Sequence, residues 1–174
     1  AAPVSKADSA IKNENLKGGD LATVGNWYTA TAAAATASAA KADSEKALGA
    51  FTGYVLKHTF YITVAKNSEA QNTLKVKECV IIPAANGGVE DKTCAGVKVI
   101  VACGDVYEEF SGGKTETKTA GTVTLADKVE STALVAVDVY VYYDGTDSTV
   151  FTNNFANLNN ATISLSFATA TEGN

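Results

Sequence analysis

The chain has 174 residues, 46% of them apolar, and a formal net charge of −5. That is ample apolar material for one folded domain, so a disordered chain is excluded. All fourteen basic residues are lysines, thinly spread, so there is no basic stripe to displace counterions from a nucleic acid, and no stretch reaches the roughly 18 apolar residues of a membrane span.

Residues 1–20 are polar with small side chains and form a candidate N-terminal extension ahead of a single domain, 21–174. Neither alternation in 1–11 is clean. Alone, this segment would not make a strand, but a partner could recruit it as one. The start, Ala1-Ala2-Pro3, is of the small-residue kind left when a secretory signal is cut, so a secreted, extracellular or cell-surface protein is expected. Residues 21–30 hold Trp27 and Tyr28 and read as a short strand. The Ala/Thr/Ser run at 29–40 has no clear apolar stripe and leads into one short Ala-rich helix, about 39–48, with Ser38 as its cap.

From Phe51 onward the period is two. Tyr54, Leu56, His58, Phe60, Ile62 and Val64 share one face, opposite Lys57, Thr59 and Thr63. After a polar turn at 66–72, Leu74, Val76, Val80 and Ile82 form the next inward set. A loop at 83–92 contains Asn86-Gly87-Gly88. Val97, Val99 and Val101 point inward from 96–103, and 106–110 continues after Gly104. A polar loop at 111–118 precedes a short strand at 119–125. In 134–143, Val135, Val137, Val139, Val141 and Tyr143 alternate with a wet face containing Asp138, Tyr140 and Tyr142. Asp144-Gly145 offers the positive φ angles of a tight turn. Ile163, Leu165 and Phe167 then alternate with Thr162, Ser164 and Ser166. About eight or nine strands with turn signals between them predict an all-β, antiparallel β-sandwich, with jelly-roll or Ig-like topology as the choices.

The catalytic inventory is nearly empty. His58 is the sole histidine and there is no His-Glu-x-x-His, so a zinc peptidase has no ligand set, and a core or rim position is expected for it. No Gly-x-Ser-x-Gly elbow is present. Asp138, Asp144 and Asp147 lack the spacing of a calcium loop, and 112–115 lacks the first glycine of a phosphate loop. No catalytic residue, metal ligand or cofactor is assigned. Cys79, Cys94 and Cys103 show no CxxC pairing. In a secreted chain, a Cys79–Cys94 bridge with Cys103 as a buried thiol is one account, and three buried thiols is the other. Asn160-Ala161-Thr162 is an N-glycosylation sequon, making Asn160 a candidate modification site. Tyr140 and Tyr142, on the wet face, are candidates for contact with sugar or a neighbouring subunit.

Two segments carry a resemblance. Residues 51–82 place an apolar strand, a polar Asn/Ser turn and a Leu-x-Val-x strand in succession. Residues 133–169 contain Val139-Tyr140-Val141-Tyr142-Tyr143-Asp144-Gly145 and the closing Ile163-Ser164-Leu165-Ser166-Phe167. Together they resemble the TasA/camelysin-like secreted proteins of Gram-positive bacteria. The likeness covers about half the chain by pattern and departs from the family in the Ala-rich insert at 30–48 and the weakly β N-terminus. It implies a jelly-roll subunit of an extracellular fibre, in which the N-terminal segment of one subunit adds as a strand to the next. On that reading the partner is a second copy, joined head to tail, with other matrix components as further partners. Val4, Ala7, Ala10 and Ile11 would be the donor side chains. A monomeric carbohydrate- or surface-binding module is the alternative expectation.

Overall fold

The computed structural model describes residues 4–6, 16–29, 46–84, 94–150 and 158–171. Among these, eleven strands follow in order: β1 (Val4–Lys6), β2 (Trp27–Thr29), β3 (Lys46–Ala47), β4 (Leu56–Ile62), β5 (Gln71–Ile82), β6 (Val97–Cys103), β7 (Val106–Ser111), β8 (Thr117–Thr119), β9 (Ala126–Val129), β10 (Val135–Tyr143) and β11 (Thr162–Thr171). They build an antiparallel β-sandwich, as the alternation predicts. One sheet has the order β4-β10-β6-β7. The facing sheet has the order β11-β5-β8, with β9 also on β5.

The core between the two sheets is made by the inward set of each strand. Val97, Val99 and Val101 of β6 and Val137 and Val139 of β10 meet Leu74, Val76, Cys79 and Ile81 of β5. The β5 set differs from the predicted one. Leu74 and Val76 point inward as expected, but then Cys79 and Ile81 do, while Ile82 is exposed. The cause is a bulge. Ser166 of β11 pairs with Glu78 and the next residue, Phe167, pairs with Val76, so Lys77 has no opposite number. One extra residue reverses the faces beyond it. A second irregularity lies between Ala168 and Ala170, where Thr73 of β5 has a φ of 53°. A β-branched side chain there is strained.

A third, smaller layer covers the other face of the β4-β10-β6-β7 sheet. It consists of the sheet β1-β2-β3 and two 3-10 turns, Gly18–Ala22 and Val24–Asn26. Its cluster joins Val4, Leu16, Leu21, Trp27, Leu48 and Val55 to Ile100, Ala102, Tyr140 and Tyr142. Trp27 sits at its centre, with its indole N–H donating to the Leu21 carbonyl at 2.9 Å and its ring 5.0 Å from Tyr142 and 5.7 Å from Tyr140. Burial of an aromatic of that size with its polar atom satisfied explains why so short a layer holds.

This layer overturns three expectations. Tyr140 and Tyr142 are buried rather than wet, because a second set of elements packs on their face. Of the strand predicted at 21–30, residues 21–22 and 24–26 belong to the two 3-10 turns, and among the described residues only Trp27–Thr29 extends. The predicted helix does not include Lys46–Ala47, which pair with β2 as a strand, and residues 39–45 lie outside the described residues. Outside this layer, the predicted strand at 119–125 is strand only at Thr119, the end of β8, and 120–125 connect β8 to β9.

Candidate functional site: an open seam of the sandwich

The two long sides of the sandwich are treated differently. On one side, Glu108 of β7 reaches across to the segment between β8 and β9. Its carboxylate accepts the Thr122 N–H at 2.7 Å and the Thr122 hydroxyl at 3.0 Å. Gly121 lies beside it, donating to the Val76 carbonyl at 3.0 Å. A Cβ on Gly121 would come within 2.6 Å of that carbonyl oxygen, so only glycine allows this approach. This side is closed.

On the other side lie β4 and β11. β4 pairs only with β10, and β11 only with β5, among the described residues. Each therefore has an edge with no strand on it, presenting a row of backbone donors and acceptors. Cross-strand partners in an antiparallel pair point to the same face. Leu56 is opposite Val141, His58 opposite Val139, Phe60 opposite Val137 and Ile62 opposite Val135. The β4 set is thus on the core side of its sheet. Yet Leu56 is 67% and Phe60 45% exposed, while Val137 is fully buried. Only Ile62 of these four packs against the sandwich core. The facing β11 side chains, Ile163, Leu165 and Phe167, are half-buried.

The seam between β4 and β11 opens into a groove of ≈ 660 Å³. Its walls are residues 51–57 leading into β4, Val141, Tyr142 and Tyr143 at the end of β10, and Leu158, Ala161 and Ile163 leading into β11. Phe51 and Val55 reach it from the buried Trp27 cluster. An apolar strip exposed along an unpaired edge marks a place where a partner packs.

The opposite face of β4 is polar and internally satisfied. Asp138 of β10 accepts the Thr59 hydroxyl at 2.5 Å, the Lys57 ammonium at 3.1 Å and the Tyr140 hydroxyl at 3.3 Å. Burial alone would push the Asp138 carboxyl up. The hydrogen bonds from Thr59 and Lys57, the Lys57 charge and the Tyr140 hydroxyl outweigh it and hold the group below the usual carboxylate range. The same surroundings push the Tyr140 phenol up, through burial first and the Asp138 charge second. This network fixes β4 on β10 and faces away from the seam.

The residues singled out from sequence fall as follows. His58 is exposed on the edge strand β4, its ring 4.3 Å from that of Phe60, so of the two positions expected for it, core or rim, it takes the rim. No group of three or more His, Cys, Asp or Glu side chains suited to a metal occurs among the described residues. Val4 is buried in its own chain, paired with Thr29 in β2, and its carbonyl accepts the Gly145 N–H at 3.0 Å. Ala7, Ala10 and Ile11 lie outside the described residues. Asn160 is exposed in the turn before β11, at the seam.

No disulfide joins Cys79, Cys94 and Cys103, so the Cys79–Cys94 bridge is not formed. Cys79 belongs to one sheet, opposite Leu165, and Cys94 stands at the entry of β6 in the other. Burial raises all three thiols, Cys79 to about 11, and the Asp138 charge adds to the rise at Cys103.

No family model, curated protein or solved structure matches the chain.

Proposed function

We propose that the protein is a structural subunit of an extracellular filament or matrix fibre, assembling head to tail by addition of a strand from one copy to the seam of the next. The observation that carries this reading is the seam. Two edges with no strand on them among the described residues flank an apolar groove, and the core-side residues Leu56 and Phe60 of β4 stand in solvent. An added strand would satisfy the edge backbone groups and cover those side chains. A donor on one part of the surface and an acceptor on another make a heterologous contact, which propagates into a fibre unless rotation closes a ring.

The N-terminal segment, 1–20, is the proposed donor. In the isolated chain its residues Val4–Lys6 are occupied within their own subunit. Donation therefore follows their release. The second reading, a monomeric carbohydrate-binding module, cannot use Tyr140 and Tyr142, which are buried. Concentration-dependent sedimentation with negative-stain microscopy tests the filament reading. Long unbranched fibres are expected, and a monodisperse monomer at every concentration contradicts it.

A further inference from the structure

We infer that β1 is an internal latch on assembly, and that the Lys6–Glu109 ion pair is its catch. This rests on the filament reading above and concerns how the donor segment is held back.

Three observations converge on β1. The first is how little backbone holds it. Three residues pair with a three-residue β2, whose other neighbour, β3, has two residues. So small a sheet is marginal by itself. A single parallel bridge from Val4 to Asp144, with the Gly145 N–H on the Val4 carbonyl, adds little to it, and the hold comes mainly from side chains: Val4 is 1% exposed, Ser5 3% and Lys6 8%.

The second observation is the nature of the deepest polar contact. The Lys6 ammonium lies 2.8 Å from the Glu109 carboxylate of β7 and 5.0 Å from the centre of the Tyr107 ring. The Glu109 carboxylate also accepts the Tyr142 hydroxyl at 3.2 Å. Seating the Lys6 ammonium, whose side chain is 9% exposed, costs its desolvation, while the Glu109 side chain keeps 28% of its exposure, so the pair is a poor way to hold a strand permanently. An apolar residue at position 6 would hold it at least as well. Buried pairs are better attested where register or switching is needed. Lys6 specifies one seat for β1 and can be solvated when it leaves.

The third observation is where the segment goes when freed. The next described residue, Leu16, is buried in the same cluster as Val4. With β1 seated, the chain between them is anchored at both ends. With β1 released, the nearest described anchor is Leu16, and fifteen residues of chain span up to about 50 Å, enough to reach a neighbouring copy. The latch and the groove also share a wall. Tyr142 packs in the cluster of Val4, bonds the carboxylate that holds Lys6, and lines the groove. Departure of Lys6 therefore alters a residue of the acceptor itself.

Hydrogen exchange on the monomeric full-length chain, paired with elongation rates from light scattering, tests the latch. The amides of residues 4–6 are expected to be protected in the unaltered protein. Glu109→Gln and Lys6→Gln should each expose them, with β5 and β11 still protected. Each should also speed elongation about tenfold, the usual effect of losing a charge-assisted hydrogen bond. The charge-swapped double variant, Lys6→Glu with Glu109→Lys, should slow it again. Free exchange at residues 4–6 in the unaltered chain overturns the latch, as does release in the variants with no gain in rate. Absence of fibres from every variant, with exchange as expected, overturns the filament reading instead.

Discussion

Phe60 and Val137 are directly opposed across β4 and β10 and point to the same side of their sheet, yet Val137 is fully buried and Phe60 is 45% exposed. Between these two neighbours the sandwich stops. The facing sheet ends at β11 and this one at β4, whose core-side residues Leu56 and Phe60 are left exposed like an overhang. An overhanging apolar edge is an aggregation liability that natural sheets usually cover or charge. Here it carries Leu56, Phe60 and the exposed Tyr61. The account assigns that surface to assembly.

Leu56→Asp and Phe60→Ser should therefore separate folding from assembly. Both residues are exposed, so each change should alter unfolding free energy by no more than about 0.5–1 kcal/mol. Elongation should be abolished or slowed at least about tenfold, because a charge or hydroxyl would be buried under the added strand. Leu74→Ala, in the closed core, should instead cost about 2–5 kcal/mol. Chemical denaturation alongside light scattering distinguishes the two classes.

Asp138 links stability to acid. Its folded-state carboxyl lies below the ordinary range despite burial, through Thr59, Lys57 and Tyr140. A depressed value means stability that is present above the unfolded value, near 3.9, and lost as pH falls through the folded one. Asp138→Asn should cost about 1–2 kcal/mol at pH 7 and flatten the loss of Tm below about pH 4. Thermal melts from pH 7 to pH 2 on both proteins check this. Parallel curves would remove Asp138 from the acid dependence.

The thiols should show no bridge. Unfolded without reductant and alkylated, the chain should gain three labels. In the folded state Cys79, raised to about 11 and buried in the core, should stay unlabelled at pH 8. Intact mass reads both. One label in the unfolded sample would restore a disulfide to the account.

His58 has a ring contact with Phe60 and no metal-binding group around it among the described residues. His58→Ala should leave unfolding free energy within about 0.5 kcal/mol, as expected of an exposed site. The purified protein should show no chelator-sensitive proteolysis. Such an activity, abolished by this change, would make the site catalytic.

Deletion of Lys77 tests the bulge. It should leave Glu78 alone between Val76 and Cys79, the spacing of regular alternation, so both stay inward and only the two-against-one pairing with β11 is lost. The circular dichroism spectrum should report a native-like β chain. An unfolded or aggregated chain would show that the register of β5 depends on the bulge.

The alternation along β4, β6, β10 and β11 was readable as strands because each has one apolar side, and that is sufficient for the sandwich class. The bulge in β5 broke the reading. Its only local sign is the polar pair Lys77-Glu78 where one polar residue belongs. Tyr140 and Tyr142 were misplaced because period two tells two faces apart but not whether the polar-looking one is covered. Their cover, Val4, Leu21 and Trp27, is more than 110 positions away. The seam was legible in composition, as the apolar set of β4, but not as a site. A strand is an edge only by virtue of strand order, which no local pattern in 54–64 encodes.

Electron cryo-microscopy of fibres grown from the purified chain tests the central claim most directly. The account predicts an additional strand in the seam between β4 and β11, continuous with the N-terminal segment of the adjacent copy and covering Leu56 and Phe60. Fibres in which those two side chains remain in solvent, with copies meeting through other surfaces, would contradict it.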